Sequence, residues 1–336
     1  MPMIQTPGLL IETPPDGNAD YRAVLLADVL SHIRLSGALF LRGCYSAPWA
    51  VESPANCELI DLLAPETERL IVFHAVRKGH LRVSAGGVTA DLAPGDVAVL
   101  PHAHSHIVGS PDAGTPVAIA GLLPPGPWTD IPTLRLDGGG EAAELVCGYF
   151  RCDELVFNAF FRQLPPVFAV QPAGKAAALL EAAIAYAVED GSRSGGVTAL
   201  AHINELLLSE VLRLYSEDEA EATGWLRATA DPVVSRALKL VHDEPGRDWS
   251  ADELARRANT SRSVLGERFK ALLGQSPIRY LVEWRMQLAA DLLRSTSLKL
   301  IEIAERSGYG SEAAFSRAFH RHLGQSPAQW RERGVT

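Results

Sequence analysis

A five-residue string occurs twice near the end of this 336-residue chain, as Leu273-Gly274-Gln275-Ser276-Pro277 and as Leu323-Gly324-Gln325-Ser326-Pro327. An internal repeat constrains a fold strongly, because both copies must answer to the same packing rules. The offset of 50 also relates Ser261 to Ser311, Leu265 to Phe315 and Phe269 to Phe319, and matches Tyr280 with Trp330 as aromatics. Upstream the offset becomes 49, pairing Glu253-Leu254-Ala255 with Glu302-Ile303-Ala304. A turn absorbs a one-residue insertion that a helix does not, so a turn is expected between Ala255 and Ser261.

Each copy reads as helix, turn, helix. In the first, Ser250 with Glu253 three residues on forms a capping box at a helix start. Leu254, Ala255 and Ala258 give that helix an apolar face, and Asn259 tolerates the left-handed backbone that ends it. Ser261 caps the next helix. There Val264, Leu265, Phe269 and Leu272 form the inner stripe, and Arg262, Ser263, Gly266 and Glu267 lie on the other face. In the second copy Gly308 takes the stop position and Ser311 the cap. Phe315, Phe319 and Leu323 face inward, with Glu312, Ala313, Ser316 and Arg317 outward. Between the copies, Ser276 and Pro277 open a longer helix whose buried side is marked by Leu281, Trp284, Leu288 and Leu292. From Pro277 to Arg294 it would run roughly 27 Å at about 1.5 Å per residue. That approaches the spacing of about 34 Å between successive major-groove faces of B-DNA.

These residues carry a resemblance. LARRANTSRSVLGERFKALLGQSPIRYLVEWRMQLAADLL and IAERSGYGSEAAFSRAFHRHLGQSPAQWRER, within Leu254 to Arg331, are similar to the DNA-binding domain of the AraC/XylS family of bacterial transcription regulators. The resemblance implies seven helices and two helix-turn-helix units in tandem major grooves of promoter DNA. Carried over by position, Arg262, Ser263, Gly266 and Glu267 would face bases in the first unit, and Glu312, Ala313, Ser316 and Arg317 in the second. Arg317 is the candidate for a bidentate guanine contact, worth about 1–3 kcal/mol of discrimination. Arg262, Arg268, Lys270 and Arg321 are candidates for phosphate contacts or for solvated surface. Two departures stand out: Asn259 where the family usually has Gly, and Glu267 where many members have Arg. Glu267 can accept from cytosine N4 or simply repel phosphate, so the first reading helix is expected to add less affinity than the second.

Charge supports a division of labour. The chain carries a formal net charge of −9, yet residues 225–336 balance to +5 and residues 1–224 to −14. A basic third beside an acidic remainder suits one part for a polyanion and the other for something else. At 47% hydrophobic and 21% charged residues, disorder throughout is excluded. No apolar run approaches the roughly 18–20 residues needed to span a bilayer, and no secretory signal is seen, so a cytoplasmic protein without a membrane partner is expected.

The N-terminal half has a different texture. Leu81, Val83, Val88, Ala90, Leu92, Val97 and Val99 fit short strands broken at Gly86-Gly87 and at Pro94-Gly95-Asp96, as in a β-sandwich or barrel. The string GHLRVSAGGVTADLAPGDVAVLPHAHSH, Gly79 to His106, resembles the second half of a cupin, with His106 at the cupin histidine position and Ala103 replacing the usual Gly. RGCYSAPWAV before it, and LVCGYF and LPPVF after it, look like the cupin half of one AraC subgroup. His74, His102, His104 and His106 are weak candidates for a transition metal. The His-x-His pair of a catalytic cupin is missing around His74, so no cofactor is assigned and no enzyme is expected. The competing reading is a metal-dependent cupin enzyme fused to a DNA-binding module. Trp49, His74 and His106 are the candidate effector pocket at the barrel mouth.

Cys44, Cys57, Cys147 and Cys152 are scattered. They read either as buried thiols or as candidates for redox sensing. Cys147 and Cys152, five apart, would face opposite sides of one strand, which disfavours a bond between them.

The middle is helical: Ala173 to Asp190, then Leu200 to Tyr215. In the second stretch Leu200, Ile203, Leu207, Val211 and Leu214 recur at helical spacing, and Leu208, Leu212 and Tyr215 widen the stripe. Ser216 to Gly224 is an acidic linker. The expectation is an α+β chain of three parts: a cupin-like β-barrel sensor over 1–165, a helical dimerisation segment with linker over 166–224, and an all-α double helix-turn-helix domain over 225–336. Functionally it reads as a homodimeric, sequence-specific transcription regulator, an activator contacting RNA polymerase and answering to a small-molecule or oxidant effector.

Overall fold

The computed structural model describes residues 24–26, 28–29, 35–63, 69–124, 131–152, 161–190, 208, 210–216 and 224–333. The N-terminal half is built on two sheets. One has six strands in the order β11-β6-β3-β10-β1-β9: β1 Leu35–Ser46, β3 Leu70–Lys78, β6 Val97–Leu100, β9 Thr133–Asp137, β10 Ala142–Cys152 and β11 Phe168–Val170. The other has five, in the order β5-β4-β7-β2-β8: β2 Ala50–Ser53, β4 Leu81–Ala85, β5 Val88–Leu92, β7 His106–Gly109 and β8 Val117–Ala118. Helix α1, Asn56–Leu63, follows β2. Among the described residues no ladder joins the two sheets, so the expected barrel is seen here as a pair of sheets rather than a closed cylinder. The short strands lie where the alternation put them. Gly86-Gly87 closes the β4–β5 hairpin, both residues at positive φ (54° and 80°), with Ala85 paired to Val88. Strand β11 lies past residue 165, where the helical segment was expected to begin, and pairs with β6.

Helix α2, Lys175–Asp190, opens the middle segment, and residues 208 and 210–216 are also helical. Leu200, Ile203, Leu207 and residues 217–223 of the expected linker lie outside the described residues. Leu208, Val211, Leu212 and Tyr215 are buried in the chain's own core, where the Tyr215 ring meets Phe168 at 4.2 Å. That part of the stripe is therefore covered from within.

The C-terminal third is all helix: α3 Gly224–Ala230, α4 Val234–Asp243, α5 Ala251–Arg257, α6 Arg262–Leu273, α7 Pro277–Ser295, α8 Leu300–Arg306, α9 Glu312–Leu323 and α10 Pro327–Arg333. The repeat is reproduced in backbone conformation. Asn259 and Gly308, the two helix stops, both take positive φ (54° and 73°). Ser261, Ser276 and Ser311 each accept a backbone N–H two or three residues inside the helix they open. The inserted residue falls in the α8–α9 turn, as the offset required. Ser250 caps α5 through the N–H of Glu253 (3.1 Å), but the Glu253 carboxylate turns away to Arg247 (2.6 Å), so the expected capping box is half made.

The apolar interior falls into three clusters. One fills the space between the two sheets. A second runs without interruption from the outer face of the six-stranded sheet (Phe73, Val99, Phe168) through Trp225 and Leu238 to Leu265, Phe269 and the start of α7. The third belongs to the second helix-turn-helix unit: Met286, Ala289 and Leu293 of α7 with Ile303, Phe315, Phe319 and Trp330. The first unit thus shares a core with the β half, and the second has one of its own. Helix α7 is buried in both, by Tyr280, Leu281 and Trp284 in one and by its second half in the other.

Candidate nucleic-acid interface

Helices α6 and α9 each bury one side and expose the other. On α6, Leu265, Phe269 and Leu273 are buried, Arg262, Ser263, Glu267, Arg268 and Lys270 are exposed, and Gly266 is half-buried. Arg262, Ser263, Gly266, Glu267 and Lys270 line one shallow surface depression. On α9, Phe315, Ala318 and Phe319 are buried, Glu312, Ala313, Arg317 and Arg321 are exposed, and Ser316 is half-buried. One residue departs from expectation. Val264, assigned to the inner stripe, is 38% exposed, because Leu265 and Phe269 already occupy the side facing the core. A Cβ at Gly266 would meet no atom within 4 Å, so packing does not require glycine at this helical position. A glycine there costs helix stability and leaves a flat patch on the outer face.

The two faces differ in electrostatics. Arg262 pairs with Asp252 of α5 (3.1 Å), and Arg268 with Asp231 (2.7 Å). Lys270, Arg317 and Arg321 have no ion pair among the described residues. Two of the three cations on α6 are thus partly neutralised by the chain's own carboxylates, while those of α9 remain available. Among the described residues α6 therefore keeps one cation without an ion pair, Lys270, and α9 keeps two, Arg317 and Arg321. Helix α7, 19 residues long, separates the two units by about 28 Å of helix at 1.5 Å per residue.

In the β half the structure brings together residues that sequence placed apart. His74 on β3 and Cys147 on β10 are directly paired across the ladder. The Cys147 Sγ lies 2.8 Å from His74 Nδ1, His74 Nε2 lies 3.0 Å from His106 Nε2, and His106 Nδ1 lies 2.9 Å from the His104 carbonyl. One proton arrangement satisfies the whole chain with neutral groups. His106 Nδ1–H donates to the carbonyl, His74 Nε2–H donates to His106 Nε2, and Cys147 S–H donates to His74 Nδ1. Burial agrees with neutrality: it holds His74 and His106 below the ordinary histidine range, with the His106 ring reinforcing the effect at His74, and pushes the Cys147 thiol up.

This geometry corrects two expectations. The four histidines do not converge: His102 turns to the Leu164 carbonyl (3.1 Å) and His104 is exposed. Among the described residues no group of three or more metal-ligating side chains forms. Nor do Trp49, His74 and His106 come together among the described residues. Trp49 precedes β2 at the end where Ala50 pairs with Gly109, whereas His106 pairs with Ser53 at the other end, roughly 10 Å away at about 3.3 Å per residue. Trp49 stacks on Tyr45 (4.3 Å) and borders a cavity of about 510 Å³ at one end of the two sheets, with His80, Ser110, Asp112 and Glu141 on its walls. Of the cysteines, Cys44 is half-buried and Cys147 buried, and the side chains of Cys57 and Cys152 lie outside the described residues.

Three residues that the sequence reading passed over shape the interface. Asp231 and Asp252 hold Arg268 and Arg262; the Asp-Pro ahead of an apolar-periodic run was the available signal for Asp231 as a helix-start residue. Arg285, in the middle of α7, is buried and donates to the carbonyls of Pro245 and Arg247; nothing local marks it off from its neighbours.

The fold, with its two helix-turn-helix units, defines a DNA-binding protein of the helix-turn-helix class. Known proteins agree: a cupin family model matches residues 25–217, and a helix-turn-helix domain model matches residues 254–333. A protein of Streptomyces lividans named as an AraC-like transcription regulator is 34% identical over 91% of this chain and 97% of its own length. One of Streptomyces antibioticus with the same name is 36% identical over 80% and 88%. Among solved structures, the DNA-binding domain of AdpA, a global transcriptional factor in complex with a target DNA, is 31% identical over 31% of this chain and 92% of that one, with a TM-score of 0.29. The chain belongs to the AraC family of transcription regulators, with a cupin region ahead of its helix-turn-helix domain. Its relatives are regulators, not enzymes, and among the described residues no helix is long and apolar enough to cross a membrane.

Proposed function

We propose that α6 and α9 read consecutive major grooves of a promoter site, and that the cupin half controls this reading in response to a small molecule or an oxidant. The observation that carries the proposal is the pair of exposed outer faces on α6 and α9, set on either side of a single helix of about 28 Å. Arg317 contacts a base edge; Lys270 and Arg321 contact phosphates. The continuous core between the six-stranded sheet and α6 supports coupling. An effector that prefers one arrangement of the sheet biases the position of the first reading helix, and only such a preference can switch binding. Exposed Leu179, with Ala178 and Ala182 beside it on α2, supports a homodimer. Activation through RNA polymerase and a cytoplasmic location complete the proposal.

The test is selection of binding sites from a random-sequence duplex pool by the full-length protein. Two conserved base blocks are expected, with Arg317→Ala losing preference within one block only. An unenriched pool, or loss across both blocks, would contradict the assignment.

A further inference from the structure

We infer that Arg285 is the positioning residue that fixes the second reading helix relative to the first, and so sets the spacing between the two base blocks. The inference rests on the DNA reading proposed above. Three segments meet at this guanidinium. The first is α7 itself, at the point where its burial passes from one core to the other, between Trp284 and Met286. The second is the turn between α4 and α5: Arg285 Nε donates to the Pro245 carbonyl and Nη2 to the Arg247 carbonyl, both at 2.7 Å. The third is the turn between α8 and α9, inside the second helix-turn-helix unit. A Cβ on Gly308 would come within 2.5 Å of Arg285 Nη2 and 2.7 Å of the Gly246 carbonyl. From the opposite side, a Cβ on Gly246 would meet the Arg306 carbonyl at 3.0 Å. The segment that leads into the first unit and the turn at the heart of the second are thus packed backbone to backbone, with one planar fork between them.

The chemistry explains why arginine suits the place. Its side chain is 9% exposed, and both carbonyls it satisfies belong to a single turn. A guanidinium presents several donors in a rigid plane and serves both at once; an ammonium on a flexible stem does not hold that geometry. No carboxylate forms an ion pair with it among the described residues, so its contribution is directional. With separate cores on either side, a pivot about the middle of α7 would change the phase of α9 against α6 and leave each unit folded.

The experiment uses the full-length protein and the random duplex pool. Wild type is expected to enrich two blocks at one spacing, close to one helical turn of about 10–10.5 base pairs. Arg285→Lys and Gly308→Ala are each expected to enrich the same two blocks with the spacing spread over several registers. Their preference for a two-block over a one-block duplex should fall about tenfold or more, with one-block affinity within about threefold of wild type. Thermal unfolding identifies any variant that does not fold; Arg285→Lys retains the charge and stem for that reason. Retention of a single spacing and the wild-type two-block preference in a folded variant overturns the assignment. A wild-type pool without two blocks sinks the underlying DNA reading instead.

Discussion

Asp231 binds Arg268 and the start of α4 with the same carboxylate. One oxygen receives Arg268 Nη1 at 2.7 Å, and the other accepts the backbone N–H groups of Val233 and Val234, each at 2.9 Å. The pair ties the outer face of α6 to the helix behind it. A guanidinium held in this way neutralises less phosphate charge than a free one. Binding of the selected duplex should follow a linear dependence of log K on log salt. Arg321→Ala and Lys270→Ala are each expected to reduce the slope by about 0.9, and Arg268→Ala by much less. Asp231→Ala should cost about 1 kcal/mol of folding stability, read by urea unfolding, through the lost N–H partners of α4. A full unit of slope lost on Arg268→Ala would show that the pair opens on DNA.

Gly266 separates stability from function. Alanine there meets open space, so Gly266→Ala should stabilise the protein by about 0.5–1 kcal/mol, as expected for a glycine inside a helix. The added methyl stands on the outer face of α6 and should weaken binding to the selected duplex. Opposite signs in urea unfolding and in fluorescence anisotropy are the expected result. Unchanged binding would remove this position from the interface.

Two buried histidines should make the protein sensitive to acid. Burial holds His74 and His106 neutral in the native state, below their ordinary values. Their contribution is complete above about pH 6.5, the unfolded histidine value. As pH falls below that, the unfolded chain takes up protons that the native state refuses. Stability therefore declines by up to about 1.4 kcal/mol per pH unit for each residue, until the depressed native value is reached. Urea unfolding at pH 7.5 and pH 5 should show this decline in wild type, and a smaller one in the His74→Gln/His106→Gln double variant. An equal decline in both would assign the acid sensitivity to other groups.

Cys147 is buried, its thiol pushed up and donated to His74. Alkylation depends on the exposed thiolate. Iodoacetamide at pH 7.5, followed by mass spectrometry, should label Cys44 before Cys147, with Cys147 reacting only once urea unfolds the chain. Early labelling of Cys147 in the native protein would contradict this protection and favour Cys147 as the redox-sensing thiol.

The repeat made the C-terminal fold legible because it records helix stops, caps and inner stripes directly. The offset change even located the insertion between Ala304 and Ser311, in the α8–α9 turn. Hairpin strands around Gly86-Gly87 were legible for the same local reason. Long-range register was not: His74 and Cys147 are 73 residues apart in sequence, and no periodicity in either strand shows that they become neighbours. Val264 was misplaced because spacing alone does not reveal which of two adjacent apolar residues faces the core. Arg285 was hidden because its partners are backbone carbonyls, which leave no signature in side-chain pattern.

Hydroxyl-radical footprinting of the selected duplex by the full-length protein tests the central claim most directly. Twin reading helices fixed to α7 should protect two backbone patches on one face of the DNA, centred about one helical turn apart, and Arg317→Ala should weaken one of them. A single patch, or two patches on opposite faces, would contradict recognition by α6 and α9 in consecutive grooves.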